Sequence, residues 1–486
     1  MRNYLMRNIA NIIVFLLLLP YSIIIGSHIG IVIYGSSNSK AFNTDIFGFF
    51  EVKSILQSVQ FGIGLAFIVL FLLFFAINFV INRYYFHQKQ TINGFIALVL
   101  LFGIFIFSLD ERPQQFTYGL NDLTPTQPNQ QHAFRLFYYD LPASIFDETD
   151  EILRMPQNSP EEIYLYRTEI SSHWNEVKEA RSIIVSLNGF SQIPCLLTPS
   201  EALAPRLIGL NRITDFYIAY AQILIKDGRT QEGIEILGDI YATITKALPY
   251  SRYLLYKILL TNIAQRILAN AFEISLMENI DNQDRELLLA TFSPLSDQAV
   301  SMRDTLISER LFMMSLKGKD VAGFFCAEMF YSKFDCLTYK ALYLLSFKPH
   351  RTHHFTNNYF EGKIEQISDH YNVIYDTDIS DLKSGLIKNE HFSKTIGNTL
   401  GWILLYPIQS TDLFSPYFDR VSTLKVHSDL FNLSLLKQLE SHHNIEDYAC
   451  PGKEYAEVDT PPYFKSHGSD CVAGTSDDIS LHSLLK

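Results

Sequence analysis

Hydrophobic positions are spread unevenly along this chain of 486 residues. Three long apolar stretches lie before residue 110, and no stretch of that kind follows. The first runs from about Ile9 to Tyr34 without one Asp, Glu, Lys or Arg. The second covers Phe61 to Ile81, and the third runs from about Thr91 to Leu109 and closes on Asp110-Glu111-Arg112-Pro113. A bilayer core is crossed by about 20 apolar residues of helix, so the pattern predicts three transmembrane helices. Pro20 lies inside the first, where a membrane helix kinks rather than breaks. No small-residue cleavage site follows that stretch, which predicts an uncleaved anchor instead of a signal peptide.

After Leu109 the pattern changes from continuous to periodic. Residues 110–131, with Pro113, Pro125 and Pro128, show no apolar period and predict a linker. Ser159-Pro160-Glu161-Glu162 is a capping box with Pro at the first helical position, predicting a helix to Asn188 that stops at Gly189. Thr198-Pro199-Ser200-Glu201 opens a second helix that ends at Asp227-Gly228. Ile234, Leu237, Tyr241, Ile244 and Leu248 share one helical face, as do Tyr256, Leu260, Ile263, Ile267, Ala271 and Ile274. Further helices are predicted from Ser293-Pro294 to about Leu316 and from Phe414 to His443. The fold class is therefore all-α: three transmembrane helices (about 9–34, 61–81 and 91–109), a linker, a helical array over 132–445, and a small irregular or β tail over 446–486.

Charge orients this arrangement. Arg2, Arg7, Arg83 and Lys89 lie on the side of the N-terminus, against Lys40 and Lys53 on the other. The positive-inside rule then places the N-terminus inside and everything after Leu109 outside. His28, near the outer end of the first stretch, is the only ionisable group within the spans. Six of the 39 basic and two of the 51 acidic residues fall in residues 1–109, so the remainder carries a formal charge of −16. Such a surface disfavours nucleic acid as a partner. All five cysteines lie in the same part, and outside the membrane disulfides are permitted. Cys326–Cys336 and Cys450–Cys471 are the sequence-local pairs, although four cysteines allow three connectivities.

Candidate chemistry is sparse. His350-Arg351-Thr352-His353-His354 follows the Cys326–Cys336 stretch and offers nitrogen ligands for zinc, with Pro349 predicting a loop. His442-His443 is a second cluster, at a helix end. Glu309 falls on the buried stripe of Met302, Leu306, Met313 and Leu316, with Arg310 beside it; a buried carboxylate there is a candidate base, paired with Arg310 or Arg303. No Walker A loop, G-x-G-x-x-G, G-x-S-x-G or EF-hand occurs.

Two segments resemble known families. Residues 220–248 (YAQILIKDGRTQEGIEILGDIYATITKAL) resemble one tetratricopeptide hairpin, which implies a protein-binding role; no second copy recurs at the family's period. From Tyr448 the helical period disappears. Tyr463-Phe464-Lys465-Ser466-His467-Gly468-Ser469-Asp470, followed by Gly474-Thr475-Ser476-Asp477-Asp478-Ile479, resembles the tail of type II secretion major pseudopilins. That resemblance implies a calcium loop with Asp470, Asp477 and Asp478 as ligands and carbonyls near Ser466 completing the shell. Cys471 stands where the family has glycine, and a Cys450–Cys471 bridge would pin the same loop. The expectation is a scaffold or protein-interaction protein in a bacterial inner membrane, possessing a large extracytoplasmic domain. The alternative is a membrane-tethered, metal-dependent enzyme using Glu309 or His350, His353 and His354.

Overall fold

The chain divides into two units that interleave in sequence: Met1–Thr117, Met313–Glu361 and Asp378–Phe414 form unit 1; Tyr118–Phe312, Gly362–Thr377 and Ser415–Lys486 form unit 2. The computed structural model describes residues 13–27, 29–30, 49–84, 92, 95–102, 116–117, 122–123, 125, 160–189, 205–315, 340, 343, 349–369, 415–441, 445–461, 463–468, 470–475 and 477–485. The described fold is mostly helical, with a small antiparallel sheet at the C-terminus.

Unit 1 is organised around two apolar helices, α1 (Ile13–Ser27) and α2 (Phe49–Tyr84). Phe15 meets Phe67, Phe71 and Phe74 at ring distances of 6.3, 5.9 and 6.4 Å, while Gly26 and Gly30 meet Gly62 and Ser58. The order of contacts makes the pair antiparallel. A Cβ on Gly62 would strike the backbone of Gly26 and Gly30, so the two main chains touch directly. This is small-residue packing of a kind that brings helices together where no hydrophobic force separates them from their surroundings. Ser22, Ser27 and Asn78 bond to carbonyls of their own helix, of Leu18, Ile24 and Phe74, which satisfies them without water. Tyr21 Oη donates to Leu100 O at 2.8 Å, tying α1 to helical residues 95–102.

The three expected spans differ in what the structure supports. Among the described residues one helix segment is long and apolar enough to cross a membrane, Gln57–Ile81, with a mean hydropathy of 2.8. The apolar part of α1 is shorter, and most of the third stretch, like His28, lies outside the described residues. Residues Pro349–Glu361 of a later helix, α11 (Pro349–Asp369), belong to unit 1, where Glu361 Oε1 accepts from Thr117 N at 2.7 Å.

Unit 2 contains α3 (Pro160–Leu165), α4 (Arg167–Asn188), α5 (Pro205–Lys226), α6 (Thr230–Ala247), α7 (Leu254–Ser275), α8 (Asn282–Thr291), α9 (Asp297–Val300), α10 (Arg303–Ser315, its last three residues in unit 1) and α12 (Ser415–Gln438). The turn between α5 and α6 has Gly228 at φ +77°, with Arg229 N donating to Leu224 O at 2.8 Å and Gly228 N to Ile225 O at 3.1 Å. That pattern is a Schellman cap, and only glycine enters it without strain. Gly233 lies against Ala221 O and the Ile225 side chain, so the hairpin closes tightly. The stripes expected on α6 and α7 are buried as a continuous core, Ile234, Leu237, Leu248, Leu260, Ile263 and Ile267 being inaccessible to solvent. Trp174 of α4 covers one end, stacked 4.1 Å from Tyr220.

Three helices depart from the periodic reading. The one expected over 160–188 breaks at Tyr166, because Tyr164 is held by α5: its hydroxyl donates to Asp227 Oδ1 at 2.8 Å and its ring lies under Arg167 and Lys226. The helix expected from Ser293 is interrupted at Ser301, which divides it into α9 and α10. Helix α12 stops at Gln438 instead of His443, where Glu440 turns left-handed at φ 57° and Ser441 N reaches Leu436 O. Helix α8, opened by Asp281 accepting from Asp284 N, has no counterpart in the sequence reading.

The tail folds as strands β1 (Ala456–Glu457), β2 (Phe464–Ser466) and β3 (Ile479–Ser480) in an antiparallel meander, followed by a 3-10 turn at Leu481–Leu485. Sheet and turn pack on α12, and the turn also packs on α7.

Candidate functional site

Two perturbed charged groups in unit 2, Lys257 and Glu309, reach the ends of neighbouring helices. Lys257 is 1% exposed. Its Nζ donates to Leu248 O at 2.7 Å, just past α6, and to Ala299 O at 2.6 Å, at the end of α9. A cation there complements the negative end of both helices. The same bond explains the break at Ser301: Ala299 O, which would accept from Arg303 N in a continuous helix, takes Lys257 instead. Arg303 N turns to Ser301 Oγ at 3.3 Å. Burial lowers the Lys257 pKa to about 7, against the opposing field of Asp304.

Glu309 does the reverse at a helix start. Its Oε1 accepts from Leu254 N at 2.6 Å, the first amide of α7, placing a carboxylate at the positive end. Burial of the carboxyl raises its pKa to about 7, and the Leu254 bond opposes the shift. The pairing expected with Arg310 or Arg303 gives way to this backbone contact. Arg303 bonds to Asp304 and to Asp122 O, and Arg310 is buried. A small cavity nearby is lined by Ile184, Leu210, Ile240, Ile244, Ala247 and Leu260, with Thr243 and Tyr256 as its polar residues and neither Glu309 nor Lys257 in its wall. The chemistry at this junction is therefore capping of helix ends.

The second assembly lies in the tail. Asp447 is inaccessible to solvent and accepts from Ala449 N at 3.0 Å, Ser466 Oγ at 2.8 Å and His467 N at 2.7 Å. His467 Nδ1 is 3.2 Å from the same carboxylate. A disulfide joins Cys450 to Cys471 with their Cα atoms 5.3 Å apart. The three aspartates of the expected calcium loop serve the loop itself. Asp470 Oδ1 accepts from Val472 N, Asp477 Oδ2 from Asp470 N, and Asp478 Oδ2 from Gly474 N, while the Thr475 hydroxyl bridges Asp470 and Asp477. Ser466 points its hydroxyl at Asp447. Among the described residues no three His, Cys, Asp or Glu side chains group to hold a metal ion.

Between these assemblies runs the inner face of α12. Asp429 is 1% exposed; Lys425 Nζ bonds to both its oxygens, at 2.6 and 2.7 Å, and Tyr455 Oη donates to it at 3.2 Å. Burial raises the Asp429 pKa despite Lys425. His427, 3% exposed, lies 2.9 Å from Ser483 Oγ, and burial lowers its pKa to about 4 against a bond to the Ser480 backbone.

His350, His353 and His354 lie in the first turns of α11 and not in a loop, because Pro349 starts the helix. Cys326, Cys336, Cys195 and His442-His443 lie outside the described residues. The sequence reading missed Lys257, His427, Asp429 and Asp447. Lys257 alone left a signal, as a single charge inside the apolar run Leu254 to Leu260. No protein-family model, curated protein sequence or solved structure matches this chain.

Proposed function

We propose that the protein is a membrane-anchored scaffold that displays unit 2 to a protein partner. The observation that carries the anchoring is helix α2: only 6% of its most apolar 18-residue window is buried, while Phe61, Leu65, Ile68, Leu72, Phe75 and Phe79 stand exposed. A soluble core helix of that composition would be covered, so lipid is the medium that fits it. On this reading α1 and residues 91–109 supply two further spans. The loop charges put the N-terminus inside a bacterial inner membrane and unit 2 on the extracytoplasmic side.

The non-enzymatic role rests on where the perturbed groups are. Glu309 and Lys257 each have a backbone partner at a helix end. The hairpin of α5 and α6 and the acidic balance favour a protein as partner over nucleic acid. Calcium forms no part of the proposal.

Alkaline carbonate washing tests the anchor. The full chain should stay in the membrane pellet, whereas its release would end the membrane reading. A phosphatase fused after Pro125 should be active, and an inactive fusion of normal abundance overturns the orientation. In a deletion strain, Glu309→Gln and His350→Ala should complement like the wild type; failure of either at normal protein level favours an enzyme.

A further inference from the structure

We propose that residues 446–485 form a strap over α12 and α7 that is released when the Cys450–Cys471 disulfide is reduced. The strap has little else to keep it folded. Its strands are two, three and two residues long, paired only through Ala456 with Lys465, Glu457 with Phe464, Lys465 with Ser480 and Ser466 with Ile479. Hairpins this short do not hold by themselves in water. Its buried apolar residues are few: Ala449, Cys450, Tyr455 and Leu481. Its attachment to the helices is largely polar, through Ser483 to His427, Tyr455 to Asp429 and an ion pair of Glu457 with Lys437.

The cross-link ties together the parts that matter. It spans 21 residues and encloses β1 and β2, leaving β3 outside. The Asp447 network lies against it: Cys450 N donates to Asp447 O at 3.0 Å, and Lys453 Nζ donates to Cys471 O at 2.5 Å. Cys471 itself is held left-handed at φ 55°, as is Tyr463 at φ 63°, conformations that non-glycine residues keep only when their surroundings impose them. Closing a loop of this length shifts a local opening equilibrium by about two decades, so its loss is large for a segment with so small a core.

The reaction is thiol–disulfide exchange with a dithiol. One thiolate of the dithiol attacks Sγ of Cys471, which is half-buried, whereas Cys450 is fully covered. The Cys450–Cys471 bond breaks, and Cys450 leaves as a thiolate that takes up a proton. The second thiol of the reagent then closes its own disulfide and expels Cys471, also protonated. Two electrons pass from the dithiol to the protein. Opening the strap uncovers Lys425 and Asp429 on one side of α12 and His427 on another.

Hydrogen exchange of the full chain in detergent, oxidised and after dithiothreitol, tests this. Exchange in 446–480 should accelerate by about tenfold or more on reduction, and in 425–433 by a smaller factor, with α6 changed by less than about twofold. Reoxidation should restore the slow exchange, and the Cys450→Ser, Cys471→Ser double variant should exchange like the reduced chain without reductant. Three results overturn the proposal: unchanged exchange in the reduced tail, an equal acceleration in α6, or no gain of two hydrogens in mass on reduction of the Cys450–Cys471 peptide pair.

Discussion

Helices α2 and α12 invert one another. Helix α2 turns Phe61, Leu65, Ile68, Leu72 and Phe75 outward, while α12 turns His427, Ser428, Asp429 and Asn432 inward. Neither pattern fits an amphipathic helix on a water-facing surface. In α2 the exposed side chains carry no charge from Phe61 to Ile81, which is what the proposed lipid contact requires. In α12 several inward polar groups meet a partner: Ser428 Oγ accepts from Leu295 N at 3.1 Å, and Asn432 Nδ2 donates to Phe292 O at 2.8 Å. Polarity alone thus says little about which side of a helix is covered. What covers it decides, and most buried polar groups have a donor or acceptor built opposite them.

The largest test of this contrast is Asp429→Ala. It would leave the Lys425 ammonium, whose side chain is 11% exposed, and the Tyr455 hydroxyl without their shared acceptor. Breaking a buried pair from one side costs about 4 kcal/mol, so urea unfolding of the detergent-solubilised chain should shift by that amount. Replacing both partners, Lys425→Met with Asp429→Leu, should recover most of it. A loss below about 1 kcal/mol for Asp429→Ala would mean that this face of α12 is wet after all.

What could be read from the sequence follows the same division. Regular signals were legible: the stripes of α6 and α7, the stop at Asn188, the turn at Gly228 and the start of α12 at Ser415 all appear in the structure. Each depends on residues close in sequence. The breaks at Tyr166 and Ser301 depend on Asp227 and Lys257, which are distant, so no local pattern announces them. Asp447 was invisible for the same reason, since its partners Ser466 and His467 come from later in the chain. Glu309 stood out in the sequence as a carboxylate in an apolar stripe, but the partner found for it is a main-chain amide, and main-chain donors leave no trace in sequence. In unit 1, composition showed the apolar stretches while the glycine contact between α1 and α2 went unread, although Gly26 and Gly30 stand four residues apart.

Glu309 sharpens the comparison from the side of charge. Its folded pKa, raised to about 7, exceeds the ordinary value of 4.5, so its stabilising contribution is complete below pH 4.5 and is lost as pH rises to 7. A shift of that size corresponds to about 3 kcal/mol. His427, lowered to about 4, slopes the other way over much of the same range. The readout is therefore the difference between Glu309→Gln and the wild type, because glutamine keeps the acceptor for Leu254 N without the charge. Relative to the wild type, the variant should gain about 3 kcal/mol between pH 4.5 and pH 7.5. A constant difference across that interval would place the carboxylate in solvent and remove the buried charge from this end of α7.

The smallest expected effect separates the inner from the outer side of α2 with two glycines one helical step apart. A Cβ on Gly62 would meet the backbone of Gly26 and Gly30, which cannot rotate away, whereas a Cβ on Gly64 meets nothing within 4 Å. Gly62→Leu should therefore force α1 and α2 apart and cost about 2 kcal/mol in mixed-micelle unfolding. Gly64→Leu adds an apolar side chain to the outward face and should change stability by no more than about 0.5 kcal/mol. Both outcomes follow from the same premise, that one side of α2 touches protein and the other touches lipid. Equal losses at the two sites would mean that the outward face is covered by protein, and the contrast with α12 would fall with it.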